Sequence, residues 1–210
     1  MSPYTNCTLM KHLHIAYAHC SDYEQLARYH YQNSRLGPVR KMFKLVDNHR
    51  WRRLTAPVVG IIIYGSPSAN LAARNQATHG IFSGLDRSTG LTLLNDRMSC
   101  IRRVIIEPRY RGLGLASYLV RETLEKVDTP MVEAISIMGR VHPFFERAGM
   151  QAFDPLPDVR SERMLAAFDH CGISGIGVDS CESVHAAIED LSKHLREFIL
   201  DEMSRFCQKF

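Results

Sequence analysis

The stretch Cys100–Ala116, CIRRVIIEPRYRGLGLA, decides the fold of this 210-residue chain. It contains three consecutive β-branched residues, Val104–Ile106, which are typical of a buried strand. Pro108 ends that strand, because proline cannot donate to a ladder. Apolar residues then recur at helical spacing between 115 and 127. The stretch therefore predicts a strand, a glycine-containing turn and a helix.

The turn has the features of a phosphate-binding loop. Gly112 and Gly114 let the main chain approach a ligand closely, and the N–H groups that open the helix suit an anion such as a pyrophosphate. A Walker loop would end in Gly-Lys-Ser/Thr, which does not occur in this sequence. A dinucleotide fingerprint would need a third small residue, for which the turn offers only Ser117.

The remaining pattern is Arg109-x-x-Gly112-x-Gly114, directly after a strand with the sequence Val-Ile-Ile-x-Pro. It resembles the acyl-CoA pyrophosphate loop of the GNAT (GCN5-related N-acetyltransferase) superfamily. The sequence FFERAGM at 144–150 is similar to the second signature of that family, a helix that ends in aromatic-Glu-Lys/Arg-x-Gly-Phe/Met. The resemblance covers about residues 10–155.

Periodicity along the chain predicts alternating strands and helices. Strands are predicted over 13–18, 41–47, 56–64, 100–106, 131–138 and 150–153, and helices over 22–35, 86–97, 115–127 and 144–148. The segment 65–84 is predicted to be a long loop. This order is the GNAT order, and it implies an α/β (α+β) fold. Helices would flank a mixed, mostly antiparallel central sheet with a parallel, splayed strand pair.

Two domains are expected. Residues 1–155 would form the GNAT-like acyl-CoA-binding domain, and 156–210 a helical C-terminal extension. Within the extension, a helix is predicted over 161–170, and one long amphipathic helix over 181–206. The long helix either packs on its own domain or mediates dimerisation or contact with a partner protein.

Composition is that of a soluble globular protein, with 45% hydrophobic and 23% charged residues. No window approaches the length of a membrane span, and the N-terminal residues show no signal peptide, so no membrane contact is expected. The six cysteines are scattered without a CxxC pair, which favours reduced thiols in a cytoplasmic protein. No metal site is expected, because the histidines lack a second ligand pair at suitable spacing.

The segment 28–53 is strongly basic, with eight Lys or Arg residues and one acid. Such an excess favours a phosphate-rich partner, either CoA or a nucleic acid, although a solvated surface has the same composition. The aromatic run 29–31 lies beside these cations. It would either stack nucleobases or pack into the core.

The GNAT resemblance implies acetyl-CoA as the cofactor. Main-chain N–H groups at 111–115 would bind the pyrophosphate, and main-chain groups of the preceding strand would bind the pantetheine arm. Two arginines would add positive charge near the phosphates. The residues assigned to the cofactor in this way are Val104, Ile105, Ile106, Arg109, Arg111, Gly112, Leu113, Gly114 and Leu115.

The catalytic groups follow less directly from the sequence. Many family members use a tyrosine as proton donor to the thiol, but the matching position here is Phe145, which cannot donate. Histidine is the usual residue type for proton transfer near neutral pH, so His142 is a candidate acid or base, unless it only begins the helix before Pro143. Glu107 and Glu133 are candidate bases. Glu133 is notable because an unpaired carboxylate inside an apolar strand would be costly.

The leading hypothesis is a cytoplasmic acyltransferase that moves an acetyl (acyl) group from acetyl-CoA to an amine. The acceptor would lie near 65–84, the first helix and 139–145, with Asn70, Arg74 and Asn75 as candidates for lining its pocket. One alternative is a GNAT-fold enzyme that modifies a DNA base or an aminoacyl-tRNA. It is similar in plan to phage Mom-type proteins and to tRNA-acylating toxins. A second alternative is a non-catalytic module that binds CoA and docks a partner.

Overall fold

The computed structural model describes residues 8–30, 36–49, 57–154, 158–173 and 181–208. The chain divides into two compact units, Met1–Asp154 and Pro155–Phe210, here called the N-terminal unit and the C-terminal unit. Across the described ranges, no helix combines the length and the apolar character that crossing a bilayer requires.

The N-terminal unit is built on one five-stranded sheet. Its strands are β1 (Leu13–Tyr17), β2 (Val39–Asp47), β3 (Val58–Gly65), β4 (Met98–Ile106) and β5 (Met131–Ala134), and they lie side by side in chain order. The pairs β1–β2, β2–β3 and β3–β4 are antiparallel, whereas β5 is parallel to β4. This arrangement confirms the predicted mixed, mostly antiparallel sheet with one parallel pair. It also has the strand order that the GNAT resemblance implies.

Helices cover both faces of this sheet. They are α1 (Cys20–Ala27), α2 (Ala72–Ala77), α3 (Arg87–Arg97), α4 (Leu115–Leu124) and α5 (Phe144–Arg147). On one face, Leu119 and Val120 of α4 are fully buried in the main core cluster. On the other face, Leu26 of α1 packs in a second cluster with Ile61 and Ile105. Each of these buried aliphatic side chains contributes about 1.5–3 kcal/mol to folding.

The parallel pair opens partway along β4. Pairing between β4 and β5 runs from Met98–Met131 to Ile101–Ala134, and β4 then continues without β5 to Ile106. Arg102 forms a bulge at this point, because β3 pairs with Ile101 and Arg103 but skips the residue between them. The gap beyond Ile101 and Ala134, here called the fork, confirms that the parallel pair is splayed.

Four predictions for the N-terminal unit need correction. The strand predicted over 131–138 ends at Ala134, and the segment 150–153 forms no strand. Strand propensity alone is insufficient there, because a strand also needs a neighbour for its ladder hydrogen bonds. The segment 65–84 contains the short helix α2, whose sequence AARNQA is rich in helix formers. The first helix ends at Ala27, and part of its predicted range, 31–35, lies outside the described residues.

The described part of the C-terminal unit contains three helices, α6 (Val159–His170), α7 (Cys181–Glu189) and α8 (Lys193–Cys207). Met164, Ile188 and Ile199, one from each helix, lie in their shared core. The single helix predicted over 181–206 is therefore wrong. The helix α7 ends at Glu189. The side chains of Asp190 and Ser192, which follow it, can hydrogen-bond to nearby backbone groups and so compete with helical hydrogen bonds.

Candidate functional site

The glycine turn has the backbone conformation that the sequence predicts. Gly112 and Gly114 have φ angles of 79° and 74°, in the left-handed region that L side chains rarely adopt. A Cβ at Gly112 would meet no atom within 4 Å, so glycine is needed there for its conformation and not for space. Gly114 is the N-cap of α4, and no side chain among the described residues caps this helix. The first-turn N–H groups therefore remain available to a ligand.

A cavity of about 210 Å³ lies against this turn. Its walls are the end of β4, the turn, the start of α4 and the segment that leads into α5. The lining residues are Ile106, Tyr110, Arg111, Gly112, Gly114, Leu115, Ala116, Ser117, Val141, His142, Pro143, Phe144 and Arg147. Two arginines and one histidine thus surround a helix N-terminus, which makes the cavity suited to an anion.

One edge of β4 faces the fork. The N–H of Glu107 donates to the carbonyl oxygen of Val59 at 2.9 Å, so Glu107 faces β3. Because peptide groups alternate along an antiparallel strand, those of Ile105 also face β3, and those of Val104 and Ile106 face the fork. Ile105 pairs with Ile61 in this ladder, and its predicted main-chain contact with a cofactor is therefore not supported. Val104 and Ile106 remain the predicted main-chain contacts.

The two arginines of the turn are held by the protein itself. The carboxylate of Glu107 accepts from Arg109 twice, from the backbone N–H at 2.9 Å and from Nε at 2.8 Å. Arg111 donates from Nε to the Ile106 carbonyl oxygen at 3.0 Å and from Nη2 to the Tyr29 carbonyl oxygen at 3.3 Å. Glu107 and Arg109 therefore shape the turn. Arg111 connects it to the end of β4 and to the residues that follow α1.

A buried hydrogen bond connects the residues just before the glycine turn to the end of β2. Tyr110 lines the cavity, and its hydroxyl donates to Oδ2 of Asp47 at 2.6 Å. Both residues are buried, and the backbone N–H of His49 donates to the other Asp47 oxygen at 2.8 Å. Sequence reasoning missed this pair. The one available signal was an acid at the end of the apolar strand KMFKLVD.

Replacing Tyr110 by Phe is expected to lower the free energy of unfolding by about 1–3 kcal/mol, because Asp47 would lose a donor to its buried carboxylate. Urea denaturation measures the change. Tyr17→Phe serves as a control. Tyr17 is 66% exposed, so the loss of its hydroxyl group should change the free energy of unfolding by no more than about 0.5 kcal/mol. Equal stability of the two variants would contradict the role given to the Tyr110 hydroxyl.

Glu133 is paired with Arg74. Nε and Nη2 of Arg74 donate to the two oxygens of Glu133, each at 2.8 Å, and Nη2 also donates to the Ser68 carbonyl oxygen at 2.6 Å. The side chains are only 3% and 11% exposed. The structure thus joins a predicted base to a residue predicted to line the acceptor pocket. With both oxygens engaged, the carboxylate of Glu133 is tied to α2.

Cys100 lies opposite Glu133 at the closed end of the fork. Burial, together with the negative charge of Glu133, raises the pKa of the Cys100 thiol to about 11. The thiol therefore stays protonated at neutral pH and is a poor nucleophile.

The segment before α5 places His142 at the cavity. His142 is exposed, lines the cavity with the glycine turn, and donates its backbone N–H to the Met138 carbonyl oxygen at 2.8 Å. Of the three predicted catalytic residues, it is the one that lines the cavity. Phe145 is half-buried, and the centroid of its ring lies 4.2 Å from the centroid of the Phe144 ring.

The basic segment 28–53 is only partly described. Residues 31–35 and 50–53 of this segment lie outside the described ranges, and they include Tyr31, Arg35, Arg50, Arg52 and Arg53. Within the described part, Lys41 pairs with Asp128 at 2.6 Å and Lys44 pairs with Asp22 at 2.8 Å. These lysines already have acidic partners, and the predicted contact with nucleic acid stays a prediction.

Comparison with known proteins gives structural similarity only. No protein-family model and no curated protein sequence matches the chain. An aminoglycoside 6′-N-acetyltransferase of Acinetobacter baumannii aligns over 70% of this chain and 95% of its own, with 10% identity and a TM-score of 0.44. The corresponding enzyme of Acinetobacter haemolyticus aligns over 69% and 95%, with 10% identity and a TM-score of 0.41.

An acetyltransferase of Trypanosoma brucei is also similar in structure. It aligns over 70% of this chain and 98% of its own, with 16% identity and a TM-score of 0.41. All three TM-scores lie below 0.5. The evidence for a function therefore comes from this chain's own strand order and residues.

Proposed function

We propose that this chain is a GNAT-type acyltransferase that moves an acetyl or longer acyl group from a CoA thioester to an amine. One observation carries the proposal. The cavity is walled by a left-handed glycine turn, by the uncapped N-terminus of α4 and by Ile106 at the carboxyl end of β4. Ligands of open sheets commonly bind at the carboxyl ends of such strands.

Two parts of a CoA thioester, the pyrophosphate and the pantetheine arm, have matching groups in this site. The N–H groups of residues 112–115 and the positive end of the α4 dipole suit the pyrophosphate, and Arg111 and Arg147 add charge beside it. The peptide groups of Val104 and Ile106 suit the amides of the pantetheine arm, which would lie along β4 as an added strand does. This path leads towards the bulge at Arg102.

The proposed chemistry needs few side chains. The amine attacks the thioester carbonyl and its nitrogen loses a proton, the carbon–sulfur bond breaks, and the thiolate takes up a proton. A peptide N–H directed at the carbonyl oxygen would stabilise that oxygen as its charge develops. The protonated thiol of Cys100 favours direct transfer over an acyl-cysteine route. Glu107 and Glu133 are both engaged by arginines, which leaves His142 as the candidate for moving a proton.

Isothermal titration with CoA and acetyl-CoA tests the donor site. We expect saturable binding of one molecule per chain in the micromolar range, competed by inorganic pyrophosphate at higher concentration. No heat of binding at millimolar CoA would overturn the proposal. Binding of CoA without thiol release from acetyl-CoA, in the presence of peptide, polyamine, aminoacyl-ester and nucleic-acid amines, would favour the alternative of a non-catalytic module.

A further inference from the structure

The chain that follows β5 returns to the cavity at the glycine turn. Because β5 is parallel to β4, the residues after Ala134 continue in the direction of Ile106, the last residue of β4. Val141 and His142 then line the cavity together with Ile106 and the glycine turn. His142 therefore lies beside the place proposed for the diphosphate of the donor.

Distance separates His142 from the thioester. The pantetheine arm would run back along β4 from Ile106 towards Arg102. A strand rises about 3.3 Å per residue, so this path is about 13 Å long. A group that transfers a proton lies within about 3.2 Å of its partner, or one water molecule away. His142 is therefore placed for the diphosphate and not for the sulfur.

Backbone hydrogen bonds fix the segment that carries His142. Its N–H donates to the Met138 carbonyl oxygen at 2.8 Å, and its carbonyl oxygen accepts from the N–H of Phe144 at 2.8 Å. The N–H of Arg147 donates to the Pro143 carbonyl oxygen at 3.1 Å. His142 and Arg147 are exposed, and within the described ranges neither side chain makes a hydrogen bond or an ion pair. Both side chains are therefore available to a ligand.

Among the described residues that line the cavity, His142 is the one whose charge can change near neutral pH. The other ionisable groups of the lining are Arg111, Arg147 and Tyr110, and no carboxylate belongs to it. Arginine in general stays charged, and tyrosine neutral, from about pH 5.5 to about pH 8.5. A diphosphate in this cavity would place negative charge beside the imidazole, which favours the protonated ring.

We infer that His142 is a ligand of the donor's diphosphate, which it binds as an imidazolium together with Arg147, and that it does not hand a proton to the departing thiolate. This inference rests on the proposed function, because it assigns a residue of the same donor site. His142 then has a binding task in place of the proton transfer for which it was the remaining candidate. Donor binding takes up a proton from solvent, so it weakens as the pH rises.

Titration calorimetry with dephospho-CoA, from about pH 5.5 to about pH 8.5, tests the inference. This ligand keeps the diphosphate but lacks the 3′-phosphate monoester, a group whose second pKa is about 6. We expect the wild type to bind about tenfold more tightly at the acidic end of this range, because a charge-assisted hydrogen bond is lost at the other end. Titrations in two buffers of different ionisation enthalpy should show proton uptake on binding.

Three variants identify the group that titrates. His142→Asn should bind dephospho-CoA at every pH as weakly as the wild type does at the alkaline end. His142→Arg should keep tight binding across the range, because arginine stays charged. His79→Asn is the matched control, since His79 is also exposed, does not line the cavity and has a φ of 51°, which asparagine tolerates. This control should keep the pH dependence of the wild type.

The outcomes separate this inference from the proposed function. A wild-type affinity that does not change with pH would overturn the inference, while saturable binding would still support the donor site. A His142→Asn variant with wild-type affinity at every pH but slower thiol release from acetyl-CoA would also overturn it, because His142 would then act on the thiolate. A failure of both CoA and dephospho-CoA to bind would overturn the proposed function itself.

Discussion

Replacing Arg74 by Met is expected to lower the free energy of unfolding by about 3–5 kcal/mol. The reason is the carboxylate of Glu133, whose side chain is only 11% exposed and which would lose the guanidinium that now donates to both of its oxygens. The carbonyl oxygen of Ser68 would lose its donor as well. Urea denaturation followed by circular dichroism measures the loss.

Two further variants test the cause of this loss. Arg74→Met combined with Glu133→Met removes both charges, and it should restore most of the lost stability, because no buried charge is left unpaired. Arg140→Met breaks an ion pair whose side chains are 84% and 72% exposed, so it should cost no more than about 1 kcal/mol. A loss in Arg74→Met no larger than in Arg140→Met would show that the buried pair does not hold α2 to β5.

Replacing Gly112 by Asp is expected to weaken CoA binding roughly a hundredfold relative to Gly112→Asn. Asp and Asn are among the non-glycine residues that best tolerate the left-handed conformation, so the two variants differ mainly in charge. A carboxylate about 4 Å from a phosphate oxygen costs about 4 kcal/mol at an effective dielectric constant of 20, and salt screening reduces that cost. Calorimetric titration with CoA measures the difference.

Gly84 provides the control for this comparison. Its φ of +73° and the open space around it match those of Gly112, but it does not line the cavity. Gly84→Asp and Gly84→Asn should therefore bind CoA equally well. Equal affinities of the two Gly112 variants would mean that the phosphates bind elsewhere.

The sequence predicted those parts of the site that depend on neighbouring residues. The β-branched run of β4, the proline after it and the two glycines all act within a few residues of one another, so their pattern was sufficient. Gly112 and Gly114 have the left-handed conformation that the turn requires. The parallel direction of β5 also followed, because a crossover helix connects it to β4.

The contacts that hold the site together were not predictable in this way. Arg74 and Glu133 are 59 residues apart in the chain, and Asp47 and Tyr110 are 63 residues apart. A single sequence shows a charge within an apolar strand, but it does not show which distant residue neutralises that charge. Glu133 was therefore interpreted as a base, although the structure gives both of its oxygens to a guanidinium.

Strand ends were the least predictable feature of the fold. The run MVEAISIM has strand composition throughout, yet only its first four residues pair with β4. The chain leaves the sheet after Ala134, which opens the fork and leaves the side chains of Ile135 and Ile137 exposed. Local propensity cannot locate that point, because it depends on where the neighbouring strand stops offering hydrogen bonds.

Amide chemical shifts recorded during a titration with CoA test the donor site most directly. If the diphosphate binds the peptide groups at the head of α4, the N–H signals of residues 112–117 should shift saturably, together with those of Val104 and Ile106. Pyrophosphate alone should shift only the first set. Saturable shifts confined to other residues, with these signals unchanged at millimolar CoA, would contradict the proposed site.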